Sequence, residues 1–100
     1  MQTNVTQRDG KAVINLAGRF DFNAHREFRE AVEQAVRDAS SLIEVDLGGV
    51  DYLDSSALGM LLMLRDKAKS AGKDVSLANA HGSVKQVLDI ANFGKLFQLV

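Results

Sequence analysis

The chain has 100 residues, 46% of them hydrophobic, and its 12 Lys and Arg against 13 Asp and Glu leave a net charge of -1. This length suffices for one hydrophobic core and is too short for two, so residues 1–100 are expected to form a single domain. The charge excludes an electrostatic drive toward nucleic acid or anionic lipid. The lack of cysteine, of an apolar leader and of a membrane-length segment indicates a cytoplasmic protein without membrane contact.

The N-terminal segment predicts a β-hairpin. Residues 3–8 and 12–17 have the length of strands and flank Asp9-Gly10, a dipeptide typical of tight turns. In the second of these segments apolar residues alternate with others, so one side of the hairpin is expected to face a core. The residues on that side are Ala12, Ile14 and Leu16.

The segment after the hairpin predicts an amphipathic helix. Asn23 is its expected N-cap, and the helical pattern runs to about Asp38. Apolar residues recur there at intervals of three and four, which places them in one stripe on a helix whose other faces are charged. The stripe comprises Phe28, Ala31, Val32, Ala35 and Val36.

The rest of the chain predicts strands and helices in alternation. In order these are a strand at 42–47, a loop at 48–55, a helix at 57–71 ended by Gly72, a strand at 75–78, a helix at 83–91 and an apolar tail at 93–100. Right-handed crossovers would put both long helices on one face and make the last two strands parallel. The predicted fold is therefore α/β, a mixed sheet of four to five strands with an N-terminal hairpin and helices packed mainly on one face. The other face, with Glu44 and Asp46, is expected to be partly solvated or covered by the terminal segments.

The segment Val50–Gly59 carries the residues of chemical interest. Asp54, Ser55 and Ser56 stand where the second helix begins, and a helix N-terminus offers unpaired N–H groups and a partial positive charge. A serine there can hold a phosphate, which adds about -1.5 to -2 units of charge and would repel a bound partner without unfolding the chain. An ordinary N-cap cluster with no further role explains the same three residues.

The beginning of the second helix also predicts a docking surface. Its first turns are apolar around most of the circumference, which is more than packing on one sheet face requires. Met60 and Met63 fall on the flank away from Leu58 and Leu62, and methionine suits an adaptable partner surface. Coverage by neighbouring helices is the alternative for most of these positions. The residues expected to contact a partner are Phe22, Leu58, Gly59, Met60 and Met63.

Three segments and the order of elements resemble the STAS family, specifically its single-domain anti-sigma factor antagonists. The segments are GRFD at 18–21, VDYLDSSALG at 50–59 and SVKQVLDIANF at 83–93. The resemblance covers nearly the whole chain and implies the STAS fold.

The resemblance also implies the roles of particular residues. In that family the second hydroxyl of an Asp-Ser-Ser/Thr-Gly segment is phosphorylated by a partner kinase, which maps to Ser56, preceded here by Asp54 and Ser55. The family's aspartate after the second strand corresponds to Asp21. Ala57 stands where the family has glycine, and a helical backbone accepts alanine there without strain.

A partner-switching mechanism follows from the resemblance. The unphosphorylated protein would bind an anti-sigma factor that is also a serine kinase, phosphorylation at Ser56 would release that partner, and a metal-dependent serine phosphatase would reset the switch. Neither a cofactor nor a metal is expected on this chain, because it lacks a GxxxxGK[ST] loop and because His25 and His81 do not form a zinc-type pair. Without G-x-S-x-G an enzyme is not expected either, and the chain alone is expected to be a monomer.

Two other functions stay open on the sequence. A phosphorylation-independent adaptor or scaffold subunit of a larger STAS assembly would keep the fold without the switch. A nucleotide- or small-anion-binding module would use the helix N-terminus beside Gly48-Gly49.

Overall fold

The computed structural model describes residues 1–100 and confirms the predicted hairpin. Strand β1 (Gln2–Arg8) pairs antiparallel with β2 (Lys11–Phe20) along the whole length of β1. Asp9 and Gly10 both have positive φ, 53° and 82°, as a two-residue turn matched to the twist of the strands requires.

The first long helix begins later than predicted and is preceded by a short 3-10 turn. Asp21 Oδ1 accepts the backbone N–H of Asn23 at 3.0 Å and caps the turn Phe22–Ala24, after which α1 runs over His25–Asp38. The prediction of Asn23 as N-cap is wrong, because the aspartate two residues earlier already satisfies the free N–H at the start of the turn. The apolar stripe of α1 is confirmed, with Val36 half-buried and the other four residues buried.

Strand β3 (Leu42–Leu53) includes most of the segment predicted as a loop at 48–55. It stays paired with β2 to the end, with one register shift just before Gly49 and a second between Val50 and Tyr52. Gly49 permits this close pairing, since a Cβ at that position would lie 2.9 Å from the carbonyl oxygen of Leu16. The loop prediction is wrong because the glycines interrupt the apolar alternation of the sequence without ending the pairing with β2. Two register shifts take up the two extra residues of β3.

The remaining elements lie within two residues of their predicted bounds. They are α2 (Ser55–Ser70), β4 (Asp74–Ala78) and α3 (Gly82–Ile90). Gly72 has a φ of 72° and ends α2 as predicted. The Lys73 N–H donates to the Ala68 carbonyl at 2.8 Å and the Gly72 N–H to the Lys69 carbonyl at 3.0 Å, which are the two hydrogen bonds of a Schellman motif.

The apolar tail packs against the body, as predicted, and adds a fifth strand. A 3-10 turn (Phe93–Lys95) precedes β5 (Gln98–Leu99), which lies parallel to β4. Phe93 and Phe97 are both buried and their rings stack with centroids 5.3 Å apart. The tail therefore contributes to the core as well as to the sheet edge.

The five strands form one mixed sheet in the order β1-β2-β3-β4-β5, in which only the hairpin is antiparallel. A single cluster of 26 buried residues joins the sheet to all three helices, and the predicted fold class is confirmed. On the other face Glu44 is half-buried and pairs with Lys11 at 2.9 Å. None of the helices has the length and apolar character needed to cross a bilayer.

Candidate functional site

Ser56 lies in the first turn of α2 and is half-buried, with Ser55 before it exposed. The N-cap is Asp54, whose Oδ1 accepts the Ala57 N–H at 3.0 Å. Because the aspartate makes the capping bond, both serine hydroxyls are left free of that role. Both serines lie in the first turn of α2, at the positive end of its dipole.

The carboxyl ends of β2 and β3 bring a second acidic residue to the same edge of the sheet. Phe20 lies opposite Leu53 in the parallel ladder, and the Asp54 N–H approaches the Phe20 carbonyl at 3.4 Å. Asp21 and Asp54 thus directly follow two adjacent parallel strands. Each of them accepts a backbone N–H at the beginning of a helical segment, Asp21 from Asn23 and Asp54 from Ala57.

Arg19 and Tyr52 belong to this edge as well, and the sequence analysis missed both. They lie opposite each other in the β2–β3 ladder, and the Arg19 guanidinium sits 4.0 Å above the centroid of the Tyr52 ring. Arg19 Nε is also 3.6 Å from Asp21 Oδ2. The sequence did not predict this pair, because the second predicted strand ended at residue 17, before Arg19. Tyr52 lay in the predicted loop at 48–55.

Phe22 projects from the same edge and is 71% exposed. Its ring stacks loosely on His25, with centroids 6.4 Å apart and an interplanar angle of 28°. Phe20, by contrast, is buried against Phe28 at a centroid distance of 4.9 Å. Phe22 is therefore the aromatic side chain of this segment that is available to a partner.

The outer side of α2 forms an apolar surface next to the two serines. We call it the docking face, and it consists of Leu58, Gly59, Leu62 and Met63. The three side chains are half-buried and pack partly on the core, whereas Gly59 is exposed with no atom within 4 Å of a Cβ placed on it. Leu62 is an addition to the predicted set of partner contacts, because it is half-buried on the same side of α2 as Leu58.

Met60 does not belong to the docking face. It is 5% exposed and lies in the buried cluster with Ala57, Leu61 and Leu64. The prediction that Met60 points toward a partner is wrong, because the inner stripe of α2 is wide enough to include it. The nearly continuous apolar sequence of this helix gave no way to find where that stripe ends.

The glycine pair that suggested an anion site has a structural explanation. Gly48 and Gly49 lie within β3, and the Gly48 N–H donates to Asp46 Oδ1 at 2.9 Å. The same carboxylate oxygen accepts from Asn79 Nδ2 at 3.1 Å, and the Gly48 carbonyl is 3.0 Å from His81 Nε2. Asp46 and the Gly48 carbonyl thus hold the loop after β4 against β3. The structure contains no group of three or more His, Cys, Asp or Glu side chains placed to hold a metal ion.

The mixed five-stranded sheet that starts with a hairpin and carries three helices is the fold of a STAS domain. Residues 3–100 match the family model described as "Mlab, STAS domain", and the chain belongs to this family. It is 45% identical over 98 residues to a STAS-domain containing protein of Pseudomonas aeruginosa, covering 97% of this chain and 96% of the relative.

Solved structures with the same fold include anti-sigma factor antagonists. SpoIIAA in its unphosphorylated form has a TM-score of 0.81 at 20% identity, covering 99% of this chain and 88% of that chain. The phosphorylated form of SpoIIAA, a Bacillus cell fate determinant, has a TM-score of 0.73 at 19% identity, with 99% and 91% covered. An anti-sigma factor antagonist from Mycobacterium paratuberculosis has a TM-score of 0.81 at 25% identity, with 98% and 83% covered.

Proposed function

We propose that this chain is a phosphorylation-controlled anti-sigma factor antagonist in a bacterial partner-switching pathway. The unphosphorylated form binds an anti-sigma factor that is also a serine kinase and thereby frees the factor's target, and phosphorylation of Ser56 releases that partner. The observation that carries the proposal is the position of Ser56, half-buried in the first turn of α2 with the capping bond made by Asp54. The likeness to SpoIIAA, which has been solved with and without phosphate, supports it.

The fold can accept a phosphate at Ser56 without unfolding. The free N–H groups and the positive dipole end of α2 stabilise an anion at this place. Asp54 caps the helix whether or not the serine is modified, since its bond to the Ala57 N–H does not involve the serine hydroxyl. Phosphorylation is therefore expected to change the surface and to leave the core as it is.

The change in surface charge is large for so small an area. Asp21, Asp51, Asp54 and Arg19 together carry a charge of -2 at this edge. A phosphate on Ser56 takes the sum to about -4. A partner whose surface complements the unphosphorylated edge has no cation to pair with the added phosphate. Removing water from an unpaired negative charge in an interface is strongly unfavourable.

The partner is expected to contact the docking face and Phe22. Leu58, Leu62 and Met63 supply apolar area beside the serines, and Gly59 leaves room for a side chain of the partner to approach the backbone of α2. In this proposal the chain is a phosphorylation substrate and a binding protein, and not an enzyme. The ATP and the metal ions of the cycle belong to the kinase and to a metal-dependent serine phosphatase, and the chain acts as a cytoplasmic monomer between them.

The first test is phosphorylation by the cognate kinase and ATP, measured as intact mass. The wild-type chain and Ser55→Ala should each gain one phosphoryl group, and Ser56→Ala should gain none. Ser55→Ala is the matched control, because it removes the neighbouring hydroxyl from the same helical turn. A chain that gains no mass under these conditions would be the phosphorylation-independent adaptor instead.

The second test is binding of the anti-sigma factor by titration calorimetry. Ser56→Ala should bind as tightly as the unphosphorylated wild type, and Ser56→Asp should bind about tenfold more weakly or worse, because the added carboxylate mimics part of the phosphate charge. Equal affinity for both variants would exclude the switch while leaving a role as adaptor.

A further inference from the structure

A cavity of about 440 Å³ opens at the end of α2 that is remote from Ser56. It lies between the second half of α2, the first residues of β4 and the segment that leads into β5. At 1.5 Å per residue Lys69, on its wall, is roughly 20 Å from Ser56 along the helix axis. The cavity is therefore separate from the site proposed for phosphorylation.

Three cations line this cavity against a single carboxylate. They are Arg65, Lys69 and Lys73, and the carboxylate is that of Asp74. None of the three cations takes part in an ion pair, since the salt bridges of the chain all lie elsewhere. In a chain whose net charge is -1, this concentration of unpaired positive charge in one cavity indicates an anionic ligand.

Two of the cations are held in position by backbone carbonyls. Arg65 Nε donates to the Leu96 carbonyl at 2.9 Å, and Lys73 Nζ donates to the Val36 carbonyl. The other N–H groups of the guanidinium and of the ammonium remain as donors. A guanidinium fixed at one nitrogen is already oriented for a two-point hydrogen bond with an oxyanion, which reduces the entropy lost on binding.

The helix dipoles account for part of this arrangement only. Lys69 lies in the last turn of α2, and Lys73 binds a carbonyl of the last turn of α1, so each compensates a negative helix end. Arg65 lies more than one turn before the end of α2, where the dipole no longer has much effect. A dipole role also gives no reason for the three side chains to line one cavity.

We propose that this cavity binds a small molecule bearing a dianionic phosphate group. The cationic residues on its wall outnumber the single carboxylate, and this excess of positive charge suits a phosphate dianion. The volume lies toward the lower end of the range for small-molecule sites, roughly 300 to 1,000 Å³, and suits a phosphate with a compact body. Val75 and Leu96 provide an apolar wall on which such a body can pack.

The test is a titration of the ¹⁵N-labelled chain with inorganic phosphate and with phenyl phosphate at constant ionic strength, followed by amide chemical shifts. The amides of Leu42, Asp74 and Gln98 should move along saturable curves. Phenyl phosphate should bind more tightly than inorganic phosphate, because its ring reaches the apolar wall. Ser56→Ala should bind both probes as the wild type does, so that this result is independent of the proposed switch.

Variants that remove one positive charge distinguish specific binding in the cavity from a general attraction of anions to the protein surface. Lys69→Gln should weaken binding of phenyl phosphate about fivefold, the effect of losing one partly exposed charge pair. Lys67→Gln, a matched control on the same helix that removes the same charge without lining the cavity, should leave the affinity unchanged. Equal weakening by the two variants, shifts that do not saturate, or shifts confined to the N-terminus of α2 would each overturn the proposal.

Discussion

Asp54 is the side chain on which the local geometry of the site depends most. Its carboxylate satisfies the Ala57 N–H at 3.0 Å, and loss of an N-cap of this kind reduces stability by about 1 kcal/mol. Asp54→Ala should therefore lower the free energy of unfolding by about 1 kcal/mol, and Asp54→Asn, which also caps well, should restore most of it. Urea denaturation followed by circular dichroism measures both.

Asp51→Ala is the control for this prediction. Asp51 is exposed, and its replacement removes the same charge from the same segment. The free energy of unfolding should therefore change by no more than about 0.5 kcal/mol. If Asp51→Ala and Asp54→Ala lowered the free energy of unfolding by similar amounts, the effect would come from the net charge at this edge and not from the N-cap.

Local signals in the sequence predicted the beginning of α2 and failed at α1. The carboxylate of Asp54 was recognised as part of a capping cluster, whereas Asn23 was predicted as a cap where Asp21 holds that role. The side on which Met60 lies depends on how widely α2 is covered by the rest of the core, and no local pattern contains that information. For the same reason the contact between Arg19 and Tyr52, which needs the register of two strands, could not be foreseen.

Among the elements, the helices were easier to predict than β3. Helix α2 has an aspartate cap at one end and a glycine with positive φ at the other, and both are readable in the sequence. The end of β3 is fixed instead by its pairing with β2, which continues past two register shifts. The whole fold class could still be predicted, because it depends on the number and order of elements and not on where each one ends.

Replacing either of two glycines by alanine should change the free energy of unfolding, and the two changes should have opposite signs. Gly49→Ala should lower the free energy of unfolding by about 1 to 3 kcal/mol, because the new Cβ would lie 2.9 Å from the Leu16 carbonyl oxygen and 3.1 Å from the Ala17 Cβ. Gly59→Ala should raise it by roughly 0.8 to 1 kcal/mol, because alanine is the better helix former and nothing lies within 4 Å of the added atom. Thermal and urea denaturation measure both changes.

Gly59→Ala also tests the docking face. A methyl group in the middle of this surface should weaken binding of the anti-sigma factor although the helix itself becomes more stable. A stabilised variant that binds the partner normally would place the interface elsewhere on the molecule.

At the scale of the whole molecule, the core runs without a break from the hairpin to the tail. The buried cluster includes Ala12 in β2 and Phe97 just before β5. We therefore expect the chain to unfold as one cooperative unit. Tyr52 is the only tyrosine, and there is no tryptophan, so its fluorescence reports on the edge near Ser56 while far-UV circular dichroism reports on the helices.

Phe97→Ala tests this cooperativity from the remote end. The side chain is 5% exposed, and its removal from a packed core should lower the free energy of unfolding by about 3 to 5 kcal/mol. Because the core is continuous, the fluorescence and dichroism transitions in urea should shift together and remain coincident. Leu99→Ala, an exposed position in the same tail, should shift them far less. A Phe97→Ala variant whose Tyr52 transition stays at the wild-type midpoint would show that the tail unfolds separately from the edge that carries Ser56.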